Sequence, residues 1–392
     1  MILSRMSSTR PTSAVVLLTV FVDIVGFGMI LPILPGHAAS LGRGPLTIGI
    51  VVGAYSAIQL LLAPLWGRVS DRYGRRPVLL LGLFGSAMSY VLFALAGNWW
   101  LLLISRLLDG GSGATINVAQ AYFADATAPE DRARAMGKIG AAVGLGFIVG
   151  PMIGGIGSAL GGTLTVAWIA AAITALNLIV AWRILPESVR TPSHETAPPI
   201  VAPPSRLLLP LTVLFLSTLA FSVIYVVFPL WGETTLGVSR STVSYWFGLM
   251  GLVTAIVQGG VLGRLVRTVG ETGTARGGTA FLAVGLALLP MAGLAGGARF
   301  YLVLVLLGIG YGLAGPAMLG LVSRDTGATR QGRTLGVAQS AASLARIIGP
   351  VLTGAVMAGG GAETAFLVSA GIAFAGLLAA LVLGVRRLSP VR

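Results

Sequence analysis

Four ionisable side chains stand inside long apolar runs of the sequence: Asp23, Arg106, Asp109 and Arg346. Asp23 is the one charge in "VVLLTVFVDIVGFGMILPILP", Val15–Pro35. A charge at mid-bilayer costs about 2.5–3.5 kcal/mol on insertion scales, so such a group faces a cavity, a partner or a ligand. A carboxyl group is well tolerated there when protonated and wants water or a cation when ionised, which suits a group that loads and releases protons. Arg106 and Asp109 are three residues apart on one helix, close enough to pair, and the pair would hold Asp109 ionised. Asp23 has no cation on its own helix. Asp23 is therefore the leading candidate for a proton carrier, with Arg106 modulating it. Asp109 takes that role if its pair opens.

Other chemistries find few residues to perform them. With no cysteine there is no disulfide framework and no thiolate metal site. His37 and His194 fall in predicted loops, so no membrane-embedded histidine can activate a serine, and no H-E-x-x-H motif occurs. Lys138, the only lysine, lies in "MGKIG", which lacks the glycine spacing and the Ser/Thr of a phosphate-binding loop. These absences argue against an ATP-driven pump and an intramembrane hydrolase. The chain reads as a non-enzyme without a cofactor, its work driven by an ion gradient such as that of protons.

The elements that must position these charges are membrane spans. Of 392 residues, 55% are hydrophobic and 10% charged, too little polar surface for a soluble protein of this size. Apolar runs near the roughly 20 residues needed to cross a bilayer core predict an all-α integral membrane protein. Twelve spans are expected, at 14–36, 47–66, 77–97, 99–124, 136–158, 164–185, 207–231, 241–263, 277–296, 299–322, 334–357 and 363–385. Arg5 and Arg10 precede the first span as in a signal peptide, but its apolar run is too long, so a retained anchor is expected. The net charge of +14 would suggest nucleic acid in a soluble chain. Here 21 of the 26 basic residues lie at the termini or in alternate loops, while the opposite loops hold only Arg43, Arg240 and Arg299. That asymmetry predicts a multi-pass protein of the cell (inner or plasma) membrane with both termini cytoplasmic. The expected partners are the bilayer, anionic lipid included, and a small lipophilic solute, with no nucleic acid. A monomer is expected.

Loop 6–7, "PESVRTPSHETAPPIVAPPSR", is the one long Pro-rich polar segment and reads as a flexible linker. It divides the chain into a six-helix bundle over 1–188, a linker over 189–206 and a second six-helix bundle over 207–392. The halves resemble each other in the same orientation. "RARAMGKIGAAVGLGFIVGP" parallels "GRTLGVAQSAASLARIIGP", Asp125 and Asp325 end spans 4 and 10 alike, and "GRVSDRYGR" has a degraded echo in "GRLVRTVGE". Parallel six-span repeats around a central site are the plan of one large class of transporters. In that plan spans 1, 4, 7 and 10 line the cavity. Candidate solute contacts are Phe27, Asn117, Tyr225 and Tyr311, with Gln59, Gln258, Gln339 and Arg346 on neighbouring helices. Few polar groups in an apolar lining suit a lipophilic or amphipathic solute.

Two motifs are specific. In "GRVSDRYGRR", Gly67–Arg76, two glycines allow a tight turn, and Asp71 can pair with Arg75 or cap a neighbouring helix. In "GLGFIVGPMIGG", glycines recur every four residues at Gly146, Gly150 and Gly154, after Gly140 and Gly144, which makes smooth strips for close helix packing. Pro151 is expected to bend that helix. The first motif resembles the major facilitator superfamily signature G-x-L-x-D-R-x-G-R-R, with Val69 in place of the leucine. The second resembles the antiporter motif of the same superfamily, carried on Gly146, Gly150, Pro151 and Gly154. "SRLLDGGSGATINVAQAYFADATAPEDRARAMG" is similar to span 4 and loop 4–5 of its drug/proton antiporters, tetracycline exporters in particular, and the likeness is densest over about the first 160 residues.

The resemblance implies a major facilitator fold and proton-coupled drug efflux. It implies that Gly67, Asp71, Arg75 and Asp125 form a cytoplasmic latch, that Arg106 serves proton coupling, and that Asp23 matches an acid of span 1. Two departures stand out. Ser89 occupies the place of an acid in span 3, and span 9 has no carboxylate, which sets tetracycline itself apart as a solute. The competing expectations are an uncoupled or differently coupled carrier of a lipid or metabolite and, more remotely, a sensor built on the same fold.

The charge pattern makes one prediction about topology. A cysteine introduced at Ser193 should resist a membrane-impermeant thiol reagent applied to intact cells and react in everted membranes. Labelling in intact cells would reverse the topology.

Overall fold

The computed structural model describes residues 9–113, 115–127, 131–187, 205–324 and 331–388. These residues form thirteen α-helices and, among the described residues, no strand. The helices are α1 (Thr9–Ile30), α2 (Leu34–Ser40), α3 (Pro45–Tyr73), α4 (Arg75–Ala94), α5 (Trp99–Ser112), α6 (Thr115–Ala126) and α7 (Arg132–Ile184). They continue with α8 (Ser205–Phe221), α9 (Val223–Thr234), α10 (Arg240–Ile256), α11 (Leu262–Ala295), α12 (Gly297–Arg324) and α13 (Gln331–Leu388). A single π-helical turn, Val257–Val261, joins α10 to α11.

Seven helical stretches are long and apolar enough to cross a bilayer, and three of these run to 50, 56 and 50 residues, over twice what one crossing needs. Each of the three breaks at a glycine with left-handed φ: Gly162 (77°) in α7, Gly270 (72°) in α11 and Gly361 (81°) in α13. Glycine takes such angles without strain. Each therefore makes two passes around a glycine turn. The pair α1 and α2, bent by 41°, adds a crossing, and α5 with α6 supplies another, so the twelve expected spans are present. The expected loop at 264–276 is helical on both sides of Gly270. His37, expected in a loop, lies buried in α2 because span 1 resumes as helix after its bend. His194 and Asp325 lie outside the described residues.

The chain divides into two compact units. In the first, α1 packs along α7, and α4 packs on α7 and α5. In the second, α8 and α9 pack on α13, and α11 packs on α13 and α12. The pairing of spans 1, 3 and 4 with 5 and 6 thus recurs among spans 7 to 12, as a parallel repeat requires. The division differs from the one expected in one respect: residues 35–56 group with the second unit. The reason is close backbone packing. A Cβ at Gly53 would lie 2.9 Å from the Ile347 carbonyl oxygen, Gly49 and Gly354 seat against the backbones of Pro350 and Pro45, and Arg240 Nη2 donates to the Gly36 carbonyl at 2.9 Å.

The two glycine strips of α7 have different fates. A Cβ at Gly150 would lie 2.6 Å from the Val25 carbonyl oxygen, one at Gly154 3.0 Å from that of Met29, and one at Gly146 2.7 Å from Ile24 Cβ. Gly140 and Gly144 face open space. Pro151 lies within continuous helix, with its Cδ close to Gly28, and the break comes only at Gly161–Gly162. Gly67 is likewise inside a helix with open space around it, so Gly74 (φ 106°) alone makes the turn after span 2. Overpacking a helix contact costs about 1–3 kcal/mol. Gly150→Val should lower the thermal unfolding midpoint of the detergent-solubilised protein by several degrees, while Gly144→Val leaves it within about a degree of the parent.

Candidate functional site

Helix α5 starts at the Asn98 cap, whose side chain accepts from Leu101 N–H at 3.0 Å, and carries Arg106 and Asp109 into the interior of the first unit. Arg106 Nη1 donates to Asp109 Oδ2 at 3.0 Å, and Nε donates to Ser105 Oγ at 3.4 Å. Arg106 is 2% exposed and Asp109 3%, so the guanidinium needs more than this one partner. It finds two rings, its Cζ 5.2 Å from the centroid of Phe93 and 5.9 Å from that of Tyr90. Cation–π contacts of this kind gain strength when water is excluded. Gly26 on α1 lets Tyr90 approach, since a Cβ there would lie 2.9 Å from its hydroxyl.

Asp23 belongs to the same cluster. Its carboxylate is flanked by the Thr115 and Ser86 hydroxyls and lies in electrostatic range of Asp109. Asp109 is flanked in turn by Ser86 and Ser89. The two acids read from the sequence as alternatives are therefore neighbours that share Ser86, and Arg106 links Asp109 to the aromatic wall. Ser89, the residue in place of a span 3 acid, stands beside Asp109.

The backbone beside this cluster is broken. α5 ends at Ser112 and α6 starts at Thr115, which frees carbonyls in mid-membrane. An unmet carbonyl in an apolar medium costs several kcal/mol, so broken spans are supported by neighbours. Two side chains of α3 do this: Gln59 Nε2 donates to the Gly113 carbonyl at 3.1 Å and Trp66 Nε1 to that of Gly111 at 2.6 Å. Gln59, expected at the solute cavity, is occupied in this way.

At the turn between spans 2 and 3 Arg75 brings the expected latch residues together. Its Nη1 donates to Asp71 Oδ1 at 2.5 Å and its Nε to Asp125 Oδ2 at 2.9 Å. Glu187, which sequence reasoning missed, caps α4 by accepting from the Arg75 and Arg76 amides at 2.7 and 3.2 Å. The second unit repeats this arrangement with the charges reversed. Gly263–Glu271 aligns with Gly67–Arg75, which places Gly270 on Gly74, Glu271 on Arg75 and Arg267 on Asp71. Glu271 accepts from Arg324 Nη1 at 2.6 Å, as Arg75 donates to Asp125. Both pairs tie the start of one span to the end of the next. Among the described residues the paired acids of the second unit stand at span ends: Glu271 is buried just after the turn at Gly270, and Glu233 at the end of α9 pairs with Arg240 at 3.0 Å.

The remaining solute candidates part company. Phe27 meets Phe147 edge-on at 6.1 Å. Tyr225, Tyr311 and Arg346 gather in the second unit, joined by Phe221. Asn117, Gln258 and Gln339 are exposed, Gln258 within the π-helical turn.

The chain matches the Major Facilitator Superfamily over residues 16–350. It is 34% identical to the class D tetracycline resistance protein of Salmonella ordonez, over 97% of this chain and 98% of that protein. It is 27% identical to multidrug resistance protein 2 of Bacillus subtilis (strain 168), over 87% of each. Among solved structures, the human organic anion transporter MFSD10 superposes with a TM-score of 0.72 at 26% identity, over 95% of this chain and 99% of the other.

The reversed pair has a testable asymmetry. Glu271 is the buried partner, its side chain 10% exposed against 71% for Arg324. Arg324→Gln strips a buried carboxylate of this cation and should lower the unfolding midpoint by more than Glu271→Gln, which leaves an arginine in water. Exchanging the two residues should recover most of the loss. Equal midpoints for all three variants and the parent would show that the pair contributes nothing.

Proposed function

Because the chain belongs to the Major Facilitator Superfamily, we propose that it exports a lipophilic or amphipathic, drug-like solute across the cell membrane in exchange for protons, by alternating access. The relatives are named for tetracycline, for multiple drugs and for organic anions, which supports a solute of drug-like kind. The proton gradient is the energy source, no cofactor is required, the working unit is a monomer, and both termini are cytoplasmic.

One observation carries the coupling: Asp23 and Asp109 flank Ser86 beside the single guanidinium of Arg106. Two carboxylates and one arginine are neutral as a set only when the pair of acids holds one proton. In an apolar interior the neutral set is strongly favoured. Taking up a proton from one side and giving it to the other therefore needs a change in what surrounds the pair. Opening the unit to water, or relocating Arg106, supplies that change. The break after Ser112 lies close in sequence to Asp109, and Gln59 and Trp66 hold the carbonyls beside it. Solute and proton can each bias the two access states only through their differential affinity for them. Arg75, with Asp71 and Asp125, holds the ends of spans 2, 3 and 4 together and stabilises the state closed to the cytoplasm.

The test is uphill transport in proteoliposomes with an imposed pH difference and a panel of fluorescent drug-like dyes. Asp23→Asn should abolish uphill export and leave dye binding. Asp109→Asn should cut export strongly without locking one protonation state. Asp71→Asn should slow export with binding retained. Uphill export by Asp23→Asn would remove Asp23 as the carrier and pass the role to Asp109.

A further inference from the structure

Among the described residues, the second unit holds a cation near the middle of a span with no carboxylate paired to it. Arg346 lies near the middle of the first pass of α13 and is half-buried. Its Nη2 donates to Ser343 Oγ, one turn back, at 3.0 Å. Among the described residues it has no carboxylate partner. Glu233 is paired with Arg240 and Glu271 with Arg324, and Glu363 lies beyond the break at Gly361. An arginine turned to hydrocarbon at this depth is strongly disfavoured, so intramembrane guanidinium groups face water, a partner or a ligand.

The neighbours of Arg346 favour a ligand. Tyr225 lies in electrostatic range of it, and the Tyr225 hydroxyl is within hydrogen-bonding reach of Tyr311. The Tyr311 ring stacks on Phe221 at 4.0 Å and 17°, and Phe221 meets Tyr225 edge-on at 5.7 Å. Every residue from 217 to 232 is buried except Tyr225. The end of α8 and the body of α9 thus close in packing, with Phe228 and Trp231 set among Trp246, Phe300 and Phe366, and leave one hydroxyl-bearing ring accessible. Tyr311, near the middle of α12, is half-buried as well. Three spans therefore bring two phenol groups and one guanidinium to the same depth.

A guanidinium binds a carboxylate or enolate through two parallel hydrogen bonds, phenol hydroxyls donate to the same oxygens, and aromatic faces take a planar ring by offset stacking. We infer that Arg346, Tyr225 and Tyr311 form a subsite for the acidic group of an aromatic organic anion, so that the solute is an amphipathic aromatic acid rather than a lipophilic cation. The inference rests on the transport reading only in taking the occupant to be the exported solute.

The experiment measures binding to the purified full-length protein by calorimetry, with no pH gradient. The probes are 1-naphthoate, its methyl ester and 1-naphthylmethylammonium, which share a ring and differ in charge. Naphthoate should bind about tenfold tighter than either of the others, the size expected of one charge-assisted hydrogen bond. Arg346→Gln should bring naphthoate to the level of the ester, and Arg346→Lys should retain part of the preference. Tyr225→Phe should weaken naphthoate a few-fold without changing the order. Thermal unfolding certifies each variant, and Arg346→Lys and Tyr225→Phe carry the test if Arg346→Gln does not fold. Equal binding of the three probes, tightest binding of the ammonium, or an unchanged preference in Arg346→Gln would overturn the inference. Selective naphthoate binding without uphill export would strike the antiport reading alone. Uphill export of uncharged dyes without naphthoate selectivity would strike this subsite alone.

Discussion

The first unit is organised around a buried arginine, paired with one carboxylate that has a second as its neighbour, away from water. Arg106 is held by Asp109, by Ser105 and by the faces of Phe93 and Tyr90. A buried ion pair is a weak source of stability in itself, because desolvation offsets most of the attraction, but removing one partner costs about 3–5 kcal/mol. The surrounding elements can be understood as the means of keeping that arrangement intact. Gly26 makes room for the Tyr90 ring. Gly82 and Gly85 on α4 receive the broken segment of span 4, with Gly82 against the Ser112 carbonyl and Thr115. The strip Gly146–Gly150–Gly154 brings α7 against the backbone of α1, which fixes the depth at which Asp23 enters the cluster.

The two units share a scaffold and differ in what they place on it. Left-handed glycines at 74 and 270 turn span 2 into 3 and span 8 into 9, and an ion pair follows each turn. The sign of the pair is reversed between the units, Arg75 to Asp125 in one and Glu271 to Arg324 in the other. A bridge between the start of one span and the end of the next needs opposite charges but not a given order. At mid-membrane the first unit carries two acids and one base, and the second carries Arg346 with two tyrosines. On the proposed reading, proton chemistry and anion recognition fall on different repeats, where a change in one need not disturb the other.

Much of this was legible in the sequence, for a physical reason. An ionised side chain in an apolar run is too costly to be incidental, so Asp23, Arg106, Asp109 and Arg346 announced themselves. Glycine strips and the basic loops were readable on similar grounds. Small hydroxyl residues were not. A Ser or Thr in a span can satisfy itself on its own helix, as Thr218 does on the Leu214 carbonyl and Thr353 on that of Gly349. Ser86 and Thr115 therefore carried no sign that they stand beside acids. Glu271 was missed because a loop was expected around Gly270, where the helix resumes at once, and because its partner Arg324 is 53 residues away. His37 was misplaced because seven residues of helix follow the proline-rich bend of span 1.

The central claim is that Asp23 and Asp109 act with Arg106 as one unit that holds and releases a proton. Infrared difference spectroscopy of the reconstituted protein tests it without a solute. The carbonyl stretch of a protonated carboxyl group should be present in the wild-type spectrum and respond to pH. It should be altered in Asp23→Asn and in Asp109→Asn, and absent when both are replaced. A wild-type spectrum indistinguishable from that of the double variant across the whole range would contradict the account.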